Sequence, residues 1–117
     1  MHRLLRATVN TWNGLKAAAR SETAVQQEIV VLALAVPLAF VVADGAWKRL
    51  FLIAVVALIL IVELLNTAIE KLCDRVTTAI DPQIGFVKDM GSAAVGLSLL
   101  LAGAVWLLAF AELIGLL

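Results

Sequence analysis

Along the first 28 residues, MHRLLRATVNTWNGLKAAARSETAVQQE, apolar and polar positions recur with the period of a helix. At about 100° per residue, Leu5, Val9, Trp12, Leu15 and Ala19 gather on one side, with Arg3, Arg6, Asn10, Asn13 and Arg20 opposite. A helix with two such faces suits the headgroup layer of a membrane. The pattern then becomes continuously apolar. Residues 29–43, IVVLALAVPLAFVVA, predict a first membrane span in which Pro37 is tolerated, and DGAWKR at 44–49 predicts the turn that follows. A second span is predicted over 50–69, a polar connection over 71–89 with Asp81 and Pro82 marking a loop, and a third span over 91–117. That last segment opens with Gly91, Ser92, Ala93, Ala94 and Gly96, small residues that let helices approach closely.

Composition supports this picture. With 63% hydrophobic and 15% charged residues in 117, the chain is far more apolar than an ordinary soluble domain. Each span needs roughly 20 residues, so one compact all-α membrane domain of three spans, or at most four, fits the length. Nine basic and nine acidic residues cancel, which leaves no footprint for nucleic acid. Cys73 and His2 are single residues of their kinds, without partners at metal-ligand spacing, and are expected to be structural. The first 28 residues lack the apolar core of a cleavable leader. Arg3, Arg6, Lys16, Arg20, Lys71, Arg75 and Lys88 fall on one side of the expected spans, against Lys48 and Arg49 on the other. The amphipathic helix and the 71–89 connection are therefore expected on the cytoplasmic face. Trp12, Trp47 and Trp106 are expected to anchor helices at the interfaces.

The stretch VELLNTAIEKLCDR, 62–75, carries acidic residues directly after the apolar run LFLIAVVALILI. Glu63 lies 14 residues beyond Arg49, about 21 Å along a helix, near the inner boundary of the hydrocarbon. Asn66, Thr67, Glu70 and Asp74 fall within about 60° of it on the wheel, forming one polar stripe that must face protein. Carboxylates at such depth are costly and are usually kept for chemistry. Glu63 and Glu70 are about 10 Å apart along the axis, too far to chelate one ion together. One suits a base and the other a ligand for Mg²⁺, which is held by one or two carboxylates plus substrate phosphates. Glu22 and Glu28, expected to close the amphipathic helix on the same side of the membrane, are further candidates, as are Lys88, Asp89 and, at the water surface, Asp74. An amine for phosphate, acidic metal ligands and a carboxylate base are the parts that phosphoryl transfer uses. No GxxxxGK[ST], GxGxxG, HRD or DFG motif is present, so the soluble kinase types are excluded.

SETAVQQE, VELLNTAIEKLCDR and VKDMGSAA together resemble the signature of the small bacterial integral-membrane diacylglycerol kinases, in that family's order of surface helix, three spans and cytoplasmic loop. The resemblance covers nearly the whole chain and rests on the ExxNxAIExxxDR and KDMGSAA blocks. It implies a homotrimer in the bacterial inner membrane with sites shared between subunits, moving the ATP γ-phosphate to diacylglycerol to make phosphatidic acid with Mg²⁺. By motif position, Glu63 resembles the catalytic base, Glu22 and Glu70 the metal ligands, and Asn66 a residue that positions substrate. Lys88 and Asp89 resemble the nucleotide-contacting pair. Arg3 and Glu28 also fall on family positions, Arg3 where both nucleotide and lipid are handled. The loop TTAIDPQIGFVKD is more apolar than the family's usual one, with Phe86 where a basic residue is expected.

Other readings compete with this one. A related branch that phosphorylates undecaprenol shares the catalytic blocks. A proton-coupled transporter would use a carboxylate near the midplane, deeper than Glu63 is expected to lie. A structural membrane subunit would pair the acidic stripe with Lys71, Arg75 or Lys88 and show no ATP-dependent product.

Overall fold

A computed structural model describes residues 2–117, an all-helical chain. In chain order the helices are α1 (His2–Ser21), α2 (Thr23–Val42), α3 (Ala46–Val76) and α4 (Pro82–Leu113). The last three are each long and apolar enough to cross a membrane.

None of α1's residues is fully buried: Leu15 and Ala19 are half-buried, while Leu5, Val9 and Trp12 on the same apolar side stay exposed. This fits a helix resting on a membrane surface. The sequence pattern ran this helix on to residue 28, whereas the break falls at Glu22, whose backbone is extended at φ −111° and ψ 114°. The Gln26 side chain makes the turn possible. Its Nε2 donates to the carbonyls of Ala19 (2.9 Å) and Arg20 (3.3 Å), satisfying two acceptors that the end of α1 leaves without helical partners. Most of the SETAVQQE block therefore belongs to α2 and to the first span.

The turn after α2 depends on Gly45, whose φ of +89° lies where a side chain would be strained. Arg49 fastens it: Nε donates to the Ala43 carbonyl at 2.9 Å and the guanidinium sits 4.7 Å from the centroid of Phe40. Helix α3 has 31 residues, about 46 Å of rise against about 30 Å of hydrocarbon, so its last turns reach beyond the core. The connection expected over 71–89 contracts to residues 77–81, because nothing before Thr77 breaks α3 and Asp81 starts α4 early. The Asp81 carboxylate accepts from the backbone N–H groups of Gln83 (2.9 Å) and Ile84 (3.2 Å), and Pro82 stands at the first helical position. At the other end α4 stops at Leu113, short of residue 117.

Helix α3 is central and packs most extensively on α4, then on α2. The main core lies at the end of the helices around the α2–α3 turn, where Ala39, Val42, Ala43, Leu52 and Ala109 meet beside Val105 and Trp106. The small residues at these contacts bring the helix axes close, as packing within lipid requires. Trp106 corrects an expectation. It is half-buried, not an interfacial anchor: Nε1 donates to the Leu52 carbonyl at 3.0 Å and the ring packs 6.2 Å from that of Phe110. Trp12 and Trp47 are exposed, as anchors would be. The buried, unbridged Cys73 is a packing residue.

Candidate functional site

The acidic stripe occupies the C-terminal part of α3, away from the main core. It is graded in exposure: Asn66 is buried, Glu63 and Thr67 are half-buried, and Glu70 and Asp74 are exposed. Because α3 continues unbroken to Val76, the positions fall on one side as the 100° spacing requires.

Three contacts tie this region to its neighbours. Asn66 Nδ2 donates to Glu70 Oε1 at 3.2 Å within the stripe. Lys71 Nζ lies 2.6 Å from Glu22 Oε1, joining α3 to the break between α1 and α2. Lys88 Nζ lies 2.8 Å from Asp74 Oδ1, joining the end of α3 to the start of α4. The structure thus brings Glu22, Asn66, Glu70, Asp74 and Lys88 to the same end of the molecule. Lysines pair with Glu22 and Asp74, but neither Glu63 nor Glu70 forms an ion pair among the described residues. The pairing expected of a purely structural subunit therefore stops short of the two carboxylates that matter most.

Charge explains what this leaves behind. The charged groups that act on the Glu63 carboxylate are Glu70, Glu28 and Glu22, all of like sign. Among the described residues no three acidic, His or Cys side chains are gathered closely enough to hold an ion by themselves. A repelling group of carboxylates with open distances favours a cation brought together with its substrate over one held in a closed protein cage.

Asn66 Oδ1 is buried without a hydrogen-bond partner. A Cβ built on Gly91 of α4 would overlap it, which shows how closely α4 crosses α3 at this point. Between α1 and α3 lies a cleft of about 620 Å³, lined by Leu15, Leu60, Leu64 and Thr67 together with the paired Glu22 and Lys71. Its walls are mostly apolar and it reaches the polar groups Glu22 and Lys71, a shape that suits a lipid tail beneath a polar head.

Two candidates are not drawn in. Arg3 is exposed near the start of α1 and makes no ion pair with the stripe among the described residues; Asp89 is exposed on α4. Glu28, half-buried, lies on α2 rather than at the end of α1. Three residues were not singled out as site residues from the sequence: Lys71, which holds Glu22; Gln26, which fixes the bend that places Glu22; and Gly91, which admits Asn66. Only Gly91 carried a signal, as one of the small residues opening the third span.

Residues 9–110 match the family model described as prokaryotic diacylglycerol kinase. The chain is 41% identical over 104 residues to the diacylglycerol kinase of Escherichia coli K12, covering 89% of this chain and 85% of that protein. It is 40% identical over 106 residues to that of Pseudomonas aeruginosa, covering 91% and 86%, and 35% identical over 103 residues to that of Haemophilus influenzae, covering 88% and 87%. The match runs through all four helices and includes the whole acidic stripe, so the chain belongs to the prokaryotic diacylglycerol kinase family.

Proposed function

We propose that the protein transfers the γ-phosphate of ATP to the free hydroxyl of diacylglycerol, giving phosphatidic acid and ADP, at the cytoplasmic boundary of a bacterial inner membrane. The observation that carries this reading is the two carboxylates of the α3 stripe without an ion pair among the described residues, Glu63 and Glu70, set on the helix that also walls an apolar cleft. A lipid hydroxyl and a water-soluble nucleotide have to meet at the membrane boundary and nowhere deeper.

In this reading the Glu63 carboxylate accepts the proton of the lipid hydroxyl as its oxygen bonds to the γ-phosphorus and the bond to ADP breaks. The half-buried position of Glu63 suits a base, because it limits competing water. The hard oxygen donors at hand, Glu70 and Glu22, fit Mg²⁺, with substrate phosphates completing its shell. When bound, the ion would neutralise phosphate charge and relieve the repulsion among the carboxylates. Lys88 and Asp89, at the start of α4, are the nucleotide-facing pair; Arg3, which lies apart from the stripe of its own chain, would join from a neighbouring subunit, and Asn66 aligns the stripe. The 620 Å³ cleft takes the acyl chains. A homotrimer with sites completed by neighbouring subunits would cover the apolar faces that one chain leaves exposed.

Purified protein in detergent micelles, given labelled ATP and Mg²⁺ with either diacylglycerol or undecaprenol, tests the proposal. Label transferred to diacylglycerol, and much less to undecaprenol, is the expected result. The reverse preference would move the chain to the undecaprenol branch, and no transfer to either would refute the reading.

A further inference from the structure

We infer that Gly91 is a positioning residue for the kinase reaction: by lacking a side chain, it leaves the space in which the Asn66 amide aligns the Glu70 carboxylate. The inference rests on the role proposed above for Glu70. An ionised carboxylate only accepts hydrogen bonds, so the nitrogen of the amide has to face Glu70, as it does at 3.2 Å. The oxygen is then turned the other way, toward Gly91. There it is buried and unpartnered in a residue only 8% exposed. Nothing about that atom's own hydrogen bonding holds it in place. What favours the arrangement is the bond on the opposite side of the amide, together with the room that α4 leaves.

Gly91 is itself buried, and the obstacle to a side chain there is the Asn66 amide: its oxygen and carbon are nearest, and Cβ is only just in contact. Gly85 and Gly96, on the same helix, have open space instead. A methyl group at position 91 would push Oδ1 aside, and since the amide is rigid, Nδ2 would leave Glu70 as the group rotates. The backbones need not separate, because a side-chain torsion absorbs the displacement. The consequence falls on the direction of the Glu70 carboxylate, one full turn along α3, rather than on the fold.

The test is a double-mutant cycle on binding. The affinity of purified, micelle-embedded protein for a non-hydrolysable ATP analogue with Mg²⁺ is measured for the unmodified chain, Gly91→Ala, Asn66→Ala, the double variant and Glu70→Gln. Gly91→Ala and Asn66→Ala should each weaken binding about tenfold, and adding Gly91→Ala to Asn66→Ala should weaken it by less than about twofold, since the two act through one contact. A Gly91→Ala affinity within twofold of the unmodified protein, or losses that simply multiply, would overturn the inference. A Gly91→Ala protein that does not fold would also overturn the inference, because a side-chain torsion would then not have absorbed the displacement; an unchanged affinity in Asn66→Ala overturns it independently of any overpacking. Glu70→Gln separates the two levels of the argument. Unchanged binding there refutes the role of Glu70 and this inference with it, whereas weakened binding there with unchanged binding in Gly91→Ala refutes the inference alone.

Discussion

Replacing Glu63 by Gln removes one proton-accepting group and almost nothing else, because the two side chains have nearly the same volume. Among the described residues the Glu63 carboxylate has no hydrogen-bond or ion-pair partner to lose, and its charged neighbours are the like-signed Glu70, Glu28 and Glu22. Stability should therefore stay level or rise slightly, since a half-buried carboxylate under repulsion is replaced by a neutral amide. The rate should behave in the opposite way. A positioned general base contributes about 10²–10⁴-fold, so kcat for diacylglycerol phosphorylation is expected to fall by at least that factor, equivalent to about 3–5 kcal/mol at 1.36 kcal/mol per decade. Initial rates in mixed micelles, with thermal unfolding followed on the same preparation, give both quantities. Two results would refute the reasoning: a rate within about tenfold of the unmodified enzyme, which removes Glu63 as base, or a rate loss matched by a lower Tm, which makes its role structural.

Glu70→Gln and Glu22→Gln should each raise the Mg²⁺ concentration needed for half-maximal rate by more than they raise the KM for lipid; an unchanged Mg²⁺ requirement in both would make them structural. Lys88→Met should raise the KM for ATP or abolish activity while leaving a folded protein, as titration of the rate with ATP would show. Asp81→Ala removes two N-terminal hydrogen bonds of α4 and should cost about 1 kcal/mol, seen as a lower Tm in detergent with kcat little changed. Reassembled mixtures of inactive Glu63→Gln and Glu22→Gln proteins should recover part of the activity if a site draws on two subunits; absence of rescue with mixed oligomers confirmed would point to a self-contained site.

The long-range outline was legible because membrane-spanning helices announce themselves by length and hydropathy, and because a helix turns a spacing of three, four or seven into a shared face. Glu63, Asn66, Glu70 and Asp74 could be aligned on that basis alone. The end of α1 was not legible, since Glu22 is unremarkable in a helix and the bend is made by Gln26 reaching back to Ala19 and Arg20. The helical stretches 71–76 and 82–89 were read as connection because their residues are polar. Polarity there reports emergence from the hydrocarbon, not loss of helix. Trp106 looked like an anchor because aromatic residues near span ends usually are, and only the crossing of α3 and α4 shows its N–H turned inward to Leu52.

The electrostatics of the inner end connect the fold to the reaction. Glu22, Glu28, Glu63, Glu70 and Asp74 supply five carboxylates to this region, and among the described residues only two lysines, Lys71 and Lys88, are paired with any of them. Such a surface, taken alone, repels a polyphosphate. Of the remaining cations expected on this side, Arg3, Arg6, Lys16 and Arg20 lie on α1, which buries none of its residues, and Arg75 lies in the last turn of α3. On the reading proposed above, a nucleotide would be accommodated when it arrives with a divalent cation and basic groups approach it from the surface helix of the same or a neighbouring chain. On the same reading, since neither Glu63 nor Glu70 is paired with a lysine among the described residues, the first is available as base and the second as ligand. The stripe is costly at this depth in an isolated helix, and in the proposed reaction a cation brought in with the phosphate donor would offset that cost.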